Sequence, residues 1–237
     1  MYDIGWFSTA RGPTSRLLLK EAHDAIERGE MDARISFVFC SRERGEAEDT
    51  DLFLDQVESC RIPLVAISST RFRDKHGGKG TGFDGKTFAP WREAYDREVL
   101  QRLESYDPDI NVLAGYMLVM TPPLCQRFTA INLHPAPPNG PIGTWQQVIE
   151  KLIEQKAQAA GAYMHLVTPD LDLGPVLTYY TFPIGPGFDF NRIREEGVRR
   201  EVPLILETIK GLSDGRINIP PEKPVDLTPA VEARLKT

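Results

Sequence analysis

Cysteine is scarce in this chain. Cys40, Cys60 and Cys125 are the only ones in 237 residues, odd in number and forming no C-x-x-C pair. That pattern excludes a disulfide framework and a zinc-ribbon site, and it points to three reduced thiols. Long apolar runs are missing too. The longest, around residues 110–120, contains Asn111 and is too short to cross a bilayer. No basic leader followed by an apolar stretch is visible, so no signal peptide is expected and the protein reads as soluble and cytoplasmic. Positive charge is in deficit: 28 Lys and Arg against 34 Asp and Glu leave a net charge of -6. Bulk electrostatics therefore offers nothing to nucleic acid or an anionic membrane, although a local basic cluster can still hold one small anion. No metal-ligand spacing appears, so metal-independent chemistry is expected.

What is present is the composition of a globular protein, 41% hydrophobic and 26% charged. The apolar run at 4–8 stops at "STARGPTSR", and "RLLLKEAHDAIERGE" then brings Leu18, Ala22, Ala25 and Ile26 to one helical face. "ARISFVFC" reads as a strand, "TDLFLDQVESC" as a helix and "IPLVAIS" as a strand. This repeated alternation predicts a parallel sheet with right-handed crossovers. Residues 70–90 break the rhythm with five glycines, seven charged side chains and no apolar period, which predicts a mobile surface loop, either a lid or an insertion without function. Further on, "WREAYDREVLQRLESYDPD" is helical, "INVLAGYM" a strand, "PPLCQRF" a short helix and "TAINLH" a strand. "GTWQQVIEKLIEQK" is helical, "AGAYMHLVT" and "PVLTYYTFPI" are strands, and a last helix covers roughly 190–212. The expected fold is α/β, a Rossmann-like, mostly parallel twisted sheet of about seven strands with helices on both faces. One domain is expected over 1–215, with a Pro-rich tail over 216–237.

The chemistry concentrates at "INLHPA". A strand alternates its faces, so Asn132 and His134 point the same way where the chain leaves the sheet. Strand ends are where open α/β sheets place their sites. A carboxylate partner is available in "TPDLDLGP" as Asp170 or Asp172, between which spacing does not choose. A carboxylate beside an imidazole favours its protonated form. An imidazolium next to an amide can stabilise the oxyanion of a carbonyl under attack. No G-x-S-x-G and no reactive cysteine setting is present, so a direct acyl transfer to the substrate's own nucleophile is expected. The plainer reading is a strand-end His bonded to a backbone carbonyl and an Asp in an ordinary turn before Gly-Pro.

"NLHPA", "GAYMHLVTPDLDLGPVL" and "REAYDREVLQRLESYDPDINVLAGYM" together resemble the glycinamide ribonucleotide formyltransferase family, closely over about 92–183. The resemblance selects Asp172 over Asp170. It implies the formyltransferase fold and transfer of a formyl group from 10-formyltetrahydrofolate to a primary amine in purine biosynthesis. Asn132 and protonated His134 would hold the oxyanion, and Asp172 would raise the His pKa and help move protons. The folate would lie along Met117, Leu118, Val119 and Met120, with Arg92 matching a family arginine that contacts it and Asn132 adjoining it. Locally, residues 117–120 read equally as core packing at a strand end.

The departures from the family pattern lie on the acceptor side. The family's compact phosphate loop is replaced by "STARGPTSRLLL", with Thr14, Ser15 and Arg16 at matching positions and Arg11 and Gly12 beside them. This stretch reads either as a phosphate cradle at a helix N-terminus or as a helix N-cap made by Thr14 or Ser15. Val198 stands where the family has a ribonucleotide-binding glutamate, and Glu195 or Glu196 is a substitute if the register differs. The expected partner is a small phosphorylated amine, with no nucleic acid and no membrane, and the sequence leaves open whether the chain is a monomer or a homodimer. The alternatives are a formyltransferase for another amine such as an amino sugar nucleotide, a formyltetrahydrofolate hydrolase, or a non-catalytic folate or nucleotide binder.

Overall fold

The computed structural model describes residues 1–236 and divides into two compact units, one made of residues 1–131 and 167–173, the other of 132–166 and from 174 onward. The strand order is β3-β2-β1-β4-β5-β6-β7-β8, where β1 is Tyr2–Ser8, β2 Ala33–Cys40, β3 Leu64–Ala66, β4 Ile110–Leu113, β5 Ala130–His134, β6 Ala159–Leu166, β7 Val176–Pro183 and β8 Val225–Asp226.

In the first unit β1 is central, paired in parallel with β2 on one side and β4 on the other, while β3 extends β2. Residues 4–8 and all of β4 are buried, as expected of parallel strands covered on both faces. Phe7 gathers Phe37, Phe39 and Tyr116 at ring separations of 5.8, 5.2 and 5.6 Å. The β1 register shifts between Ile4 and Gly5, and at Gly5 a Cβ would stand 2.0 Å from the Asn111 side-chain oxygen, so only glycine fits. Helices α1 (Pro13–Glu27), α2 (Glu48–Ser59), α4 (Pro90–Arg102) and α5 (Pro122–Arg127) connect these strands. Leu18, Ala22 and Ala25 of α1 are buried on the predicted face, with Ile26 at its margin.

Residues 70–90 are not the structureless loop that their composition predicts. A helix α3 (Ser69–Lys75) occupies the start, capped by Ser68, whose hydroxyl accepts the Arg71 N–H at 3.0 Å. Phe72 packs edge-on against Tyr95 at 5.3 Å, and Phe83 stacks on Phe88 at 4.6 Å across an isolated bridge. Three half-buried aromatics at irregular spacing, Phe72, Phe83 and Phe88, anchor this segment, which is why no apolar period marks it.

In the second unit β6 runs antiparallel to β7, and Gly161 lies so close to the β7 backbone that a Cβ would stand 2.1 Å from the Tyr180 carbonyl oxygen. Helix α6 (Trp145–Glu154) begins with a capping box between Thr144 and Gln147 and buries Val148, Ile149 and Leu152. Helix α7 (Phe190–Ser213) runs through Pro203, and Thr208 ties it to β7 by a 2.7 Å hydroxyl contact with Thr178. The Pro-rich segment adds what the sequence does not suggest. Val225 and Asp226 pair in parallel with Thr178 and Tyr179, and helix α8 (Thr228–Arg234) follows. The sheet therefore has eight strands rather than about seven; a two-residue edge strand flanked by prolines carries no readable alternation. No helix among the described residues is long and apolar enough to cross a membrane.

Candidate functional site

The second unit carries the polar pair that the sequence singles out. His134, 2% exposed, ends β5 and is pinned by the turn that follows, where the Ala136 N–H reaches back to its carbonyl at 2.9 Å. Its Nε2 lies 3.2 Å from the Pro141 carbonyl, an acceptor only, so Nε2 carries the hydrogen. The ring rests 5.1 Å from that of Tyr163.

Asn132 is half-buried, and its amide nitrogen lies 3.4 Å from Nε2 of His165. His165 Nδ1 in turn lies 3.0 Å from the Leu166 carbonyl. A carbonyl accepts and cannot donate, so in the neutral ring Nδ1 holds the hydrogen and Nε2 accepts from the Asn132 amide. The Asn132 rotamer is thus assigned by a histidine that the sequence reading did not single out. Alternation on β6 places Tyr163 and His165 on one face, but it does not say that Asn132 lies opposite.

In the first unit Asp172 adopts a left-handed backbone, φ 55°, inside a turn in which the Thr168 hydroxyl and the Leu173 N–H both reach the Asp170 carbonyl. Asp tolerates that region better than most residues, yet the conformation still costs about 1 kcal/mol. Asp172 is half-buried, whereas Asp170 is exposed.

The segment after β4 is irregular. Met117 is exposed, Leu118 and Val119 are half-buried and Met120 is buried. The Met117 N–H is held by Thr9 Oγ1 at 2.8 Å, which ties this segment to the loop after β1. Arg92, 1% exposed, donates from Nη2 to the Val119 carbonyl at 2.9 Å and pairs with Asp96 at 3.1 Å. The Leu118 amide and carbonyl make no hydrogen bond among the described residues, which leaves one backbone donor and one acceptor open.

The loop after β1 is shaped by Ala10, held at φ 52° by its N–H on Ser8 Oγ (3.1 Å) and by the Thr50 hydroxyl on its carbonyl (3.1 Å). Gly12 is the N-cap of α1 with no side-chain cap, and Pro13 follows at the first helical position. Neither Thr14 nor Ser15 caps the helix; both stand inside its first turn, Thr14 exposed and Ser15 buried. Pro13 has no N–H and the Ser15 N–H turns back to the Gly12 carbonyl at 3.2 Å, which leaves the Thr14 N–H as the donor of this turn open to an anion among the described residues. Arg11 is exposed, while Arg16 is engaged by Asp49 at 2.5 Å. On α7, Glu196 is held by Arg200 and Arg192 at 2.6 Å each, whereas Glu195 is largely solvated and Val198 half-buried. The Arg200 hydrogen bond draws the Glu196 carboxyl below its ordinary value, against the opposing effect of burial.

Against known families, residues 14–209 match the family described as formyl transferase. Among curated proteins, the phosphoribosylglycinamide formyltransferase of Escherichia coli (strain K12) is 31% identical over 132 residues, 54% of this chain and 60% of that protein. The enzyme of the same name from Haemophilus influenzae is 29% identical over 121 residues, 49% of this chain and 55% of that protein. The chain thus spans less than two thirds of the length of these relatives. Among solved structures, glycinamide ribonucleotide transformylase 1 from Symbiobacterium toebii superposes with a TM-score of 0.73 at 22% identity, covering 95% of this chain and 93% of that one. That likeness fixes the fold.

Proposed function

The chain belongs to the formyl transferase family, and from that premise we propose that it transfers the formyl group of 10-formyltetrahydrofolate to the primary amine of glycinamide ribonucleotide or a closely related phosphorylated amine. The observation that carries the reading is the Asn132–His134 pair at the end of β5, with the Asn132 amide oriented by His165.

In the reaction the amine nitrogen bonds to the formyl carbon and the bond to N10 of the folate breaks, giving the N-formyl amine and tetrahydrofolate. The negative charge that develops on the formyl oxygen needs preorganised donors. Asn132 supplies its second amide hydrogen, the first being committed to His165, and His134 supplies Nε2–H, which rests on the Pro141 carbonyl in the free protein. Asp172 serves the proton that leaves the amine. The folate lies along Met117–Met120, with the Leu118 amide and carbonyl as its hydrogen-bonding face and Arg92 behind Val119. The Thr14 N–H at the start of α1, with the Thr14 and Ser15 hydroxyls, Gly12 and Arg11, receives the acceptor's phosphate, and Arg16 borders it through its pairing with Asp49. Tetrahydrofolate release from 10-formyltetrahydrofolate, with and without glycinamide ribonucleotide, tests this reading. Release that depends on the ribonucleotide supports it, and release at the same rate without it contradicts it.

A further inference from the structure

Residues 117–121 belong to no helix or strand, so no regular hydrogen-bond ladder fixes their backbone. Side chains fix it instead. Thr9 holds the Met117 N–H. Arg92 Nη2 holds the Val119 carbonyl at 2.9 Å, and Asp96 Oδ2 holds the Thr121 N–H at 2.9 Å. Arg92 and Asp96 are one turn apart on α4 and face each other, Nη2 to Oδ1 at 3.1 Å, with side chains 1% and 0% exposed.

An ion pair buried this deeply is expensive to desolvate and contributes little to stability on its own. Placed on the outer face of α4, the same two residues would cost nothing. Here each spends a hydrogen bond on the backbone of one short segment, one on either side of Met120. The pair is also shielded from above: at Gly82 a Cβ would stand 2.2 Å from Arg92 Cγ, so the 70–90 segment lies directly on the arginine stem. Burial pushes the Asp96 carboxyl up, and Arg92 together with the Thr121 N–H opposes that.

We propose that Asp96 is a positioning residue for the folate: with Arg92 it sets the Val119–Thr121 backbone and so the direction in which Leu118 presents its amide and carbonyl. Asp96 touches no substrate and acts through Arg92 and the Thr121 N–H. This rests on the reading above that residues 117–120 take the folate.

The test uses the full chain and two variants. Asp96→Asn keeps an acceptor for Thr121 but removes the charge that holds Arg92. Thr121→Pro leaves the Arg92–Asp96 pair in place and removes the N–H, together with the buried Thr121 hydroxyl, at a residue whose φ of -76° suits proline. In both, the KM for 10-formyltetrahydrofolate is expected to rise about tenfold while that for the amine changes by less than about twofold. Amide hydrogen exchange of Leu118–Met120 in the free protein is expected to speed up, with the rest of the first unit unchanged. Folded variants with an unaltered folate KM and unaltered exchange overturn the proposal. If Asp96→Asn does not fold, Thr121→Pro decides. A wild-type chain that does not bind 10-formyltetrahydrofolate overturns the folate reading instead, and faster exchange in the variants would then still support Asp96 as the residue that sets this segment.

Discussion

The amide nitrogen of Asn132 lies 3.4 Å from His165 Nε2, and the far nitrogen of that ring lies 3.0 Å from a backbone carbonyl. A chain of one carbonyl, one imidazole and one amide therefore decides which way Asn132 faces. Replacing His165 with Ala leaves the amide free to rotate. The expected result is a fall in kcat of about fivefold to tenfold, matching the loss of one hydrogen bond of about 1 kcal/mol, with both KM values little changed. An unchanged kcat in the folded variant would show that Asn132 needs no such support.

His134→Ala removes the Nε2–H donor itself. A loss of kcat of about 10²–10⁴-fold is expected, the range for a positioned acid–base or oxyanion group. Asp172→Asn is a cleaner variant than Asp172→Ala, because Asn tolerates the φ of 55° found there. Stability is expected to hold, by thermal melting, while kcat drops by about 10²-fold or more. Near-normal turnover in both would remove this pair from the chemistry.

Arg11 and Arg16, five positions apart, have different surroundings. Arg11 is exposed, and Arg16 is bound to Asp49 at 2.5 Å. Arg11→Ala is expected to raise the KM of the phosphorylated amine about tenfold and Arg16→Ala less, both leaving the folate KM within about twofold. Equal effects on amine and folate would contradict a phosphate cradle at α1.

The Glu196 carboxyl sits below its ordinary value of 4.5, mainly through its hydrogen bond to Arg200. A depressed carboxylate binds fewer protons folded than unfolded, so its stabilisation is present above that ordinary value and lost as pH falls through the folded one. Glu196→Gln is expected to cost about 1 kcal/mol by urea unfolding at neutral pH, and the difference from wild type is expected to shrink as pH falls below the ordinary carboxylate value and through the folded one. A difference that stays constant with pH would mean that packing, not charge, accounts for it.

Much of this was legible in the residues. The stretch "ARISFVFC" forms a strand over the predicted limits, Ala33–Cys40, because β-branched and aromatic side chains fill one face throughout and both faces over Phe37–Cys40. The polar pair at 132 and 134 was visible because alternation and Pro135 fix where it points. Other features depend on distant partners. Helix α3 hides within a Gly- and Lys-rich stretch because its packing rests on Phe72 meeting Tyr95, a residue on another helix. His165 meets Asn132 across 33 positions of sequence, a proximity that strand pairing creates and local pattern does not encode. The engagement of Arg16 by Asp49 likewise spans 33 positions. Asp49 lies on another helix, so nothing near Arg16 in sequence marks the pairing.

The most direct test follows tetrahydrofolate release from 10-formyltetrahydrofolate in the presence and absence of glycinamide ribonucleotide, with His134→Ala alongside. Release that requires the ribonucleotide and disappears in the variant is the predicted result. Release that proceeds equally without any amine, or that survives the loss of His134, would contradict formyl transfer at the end of β5.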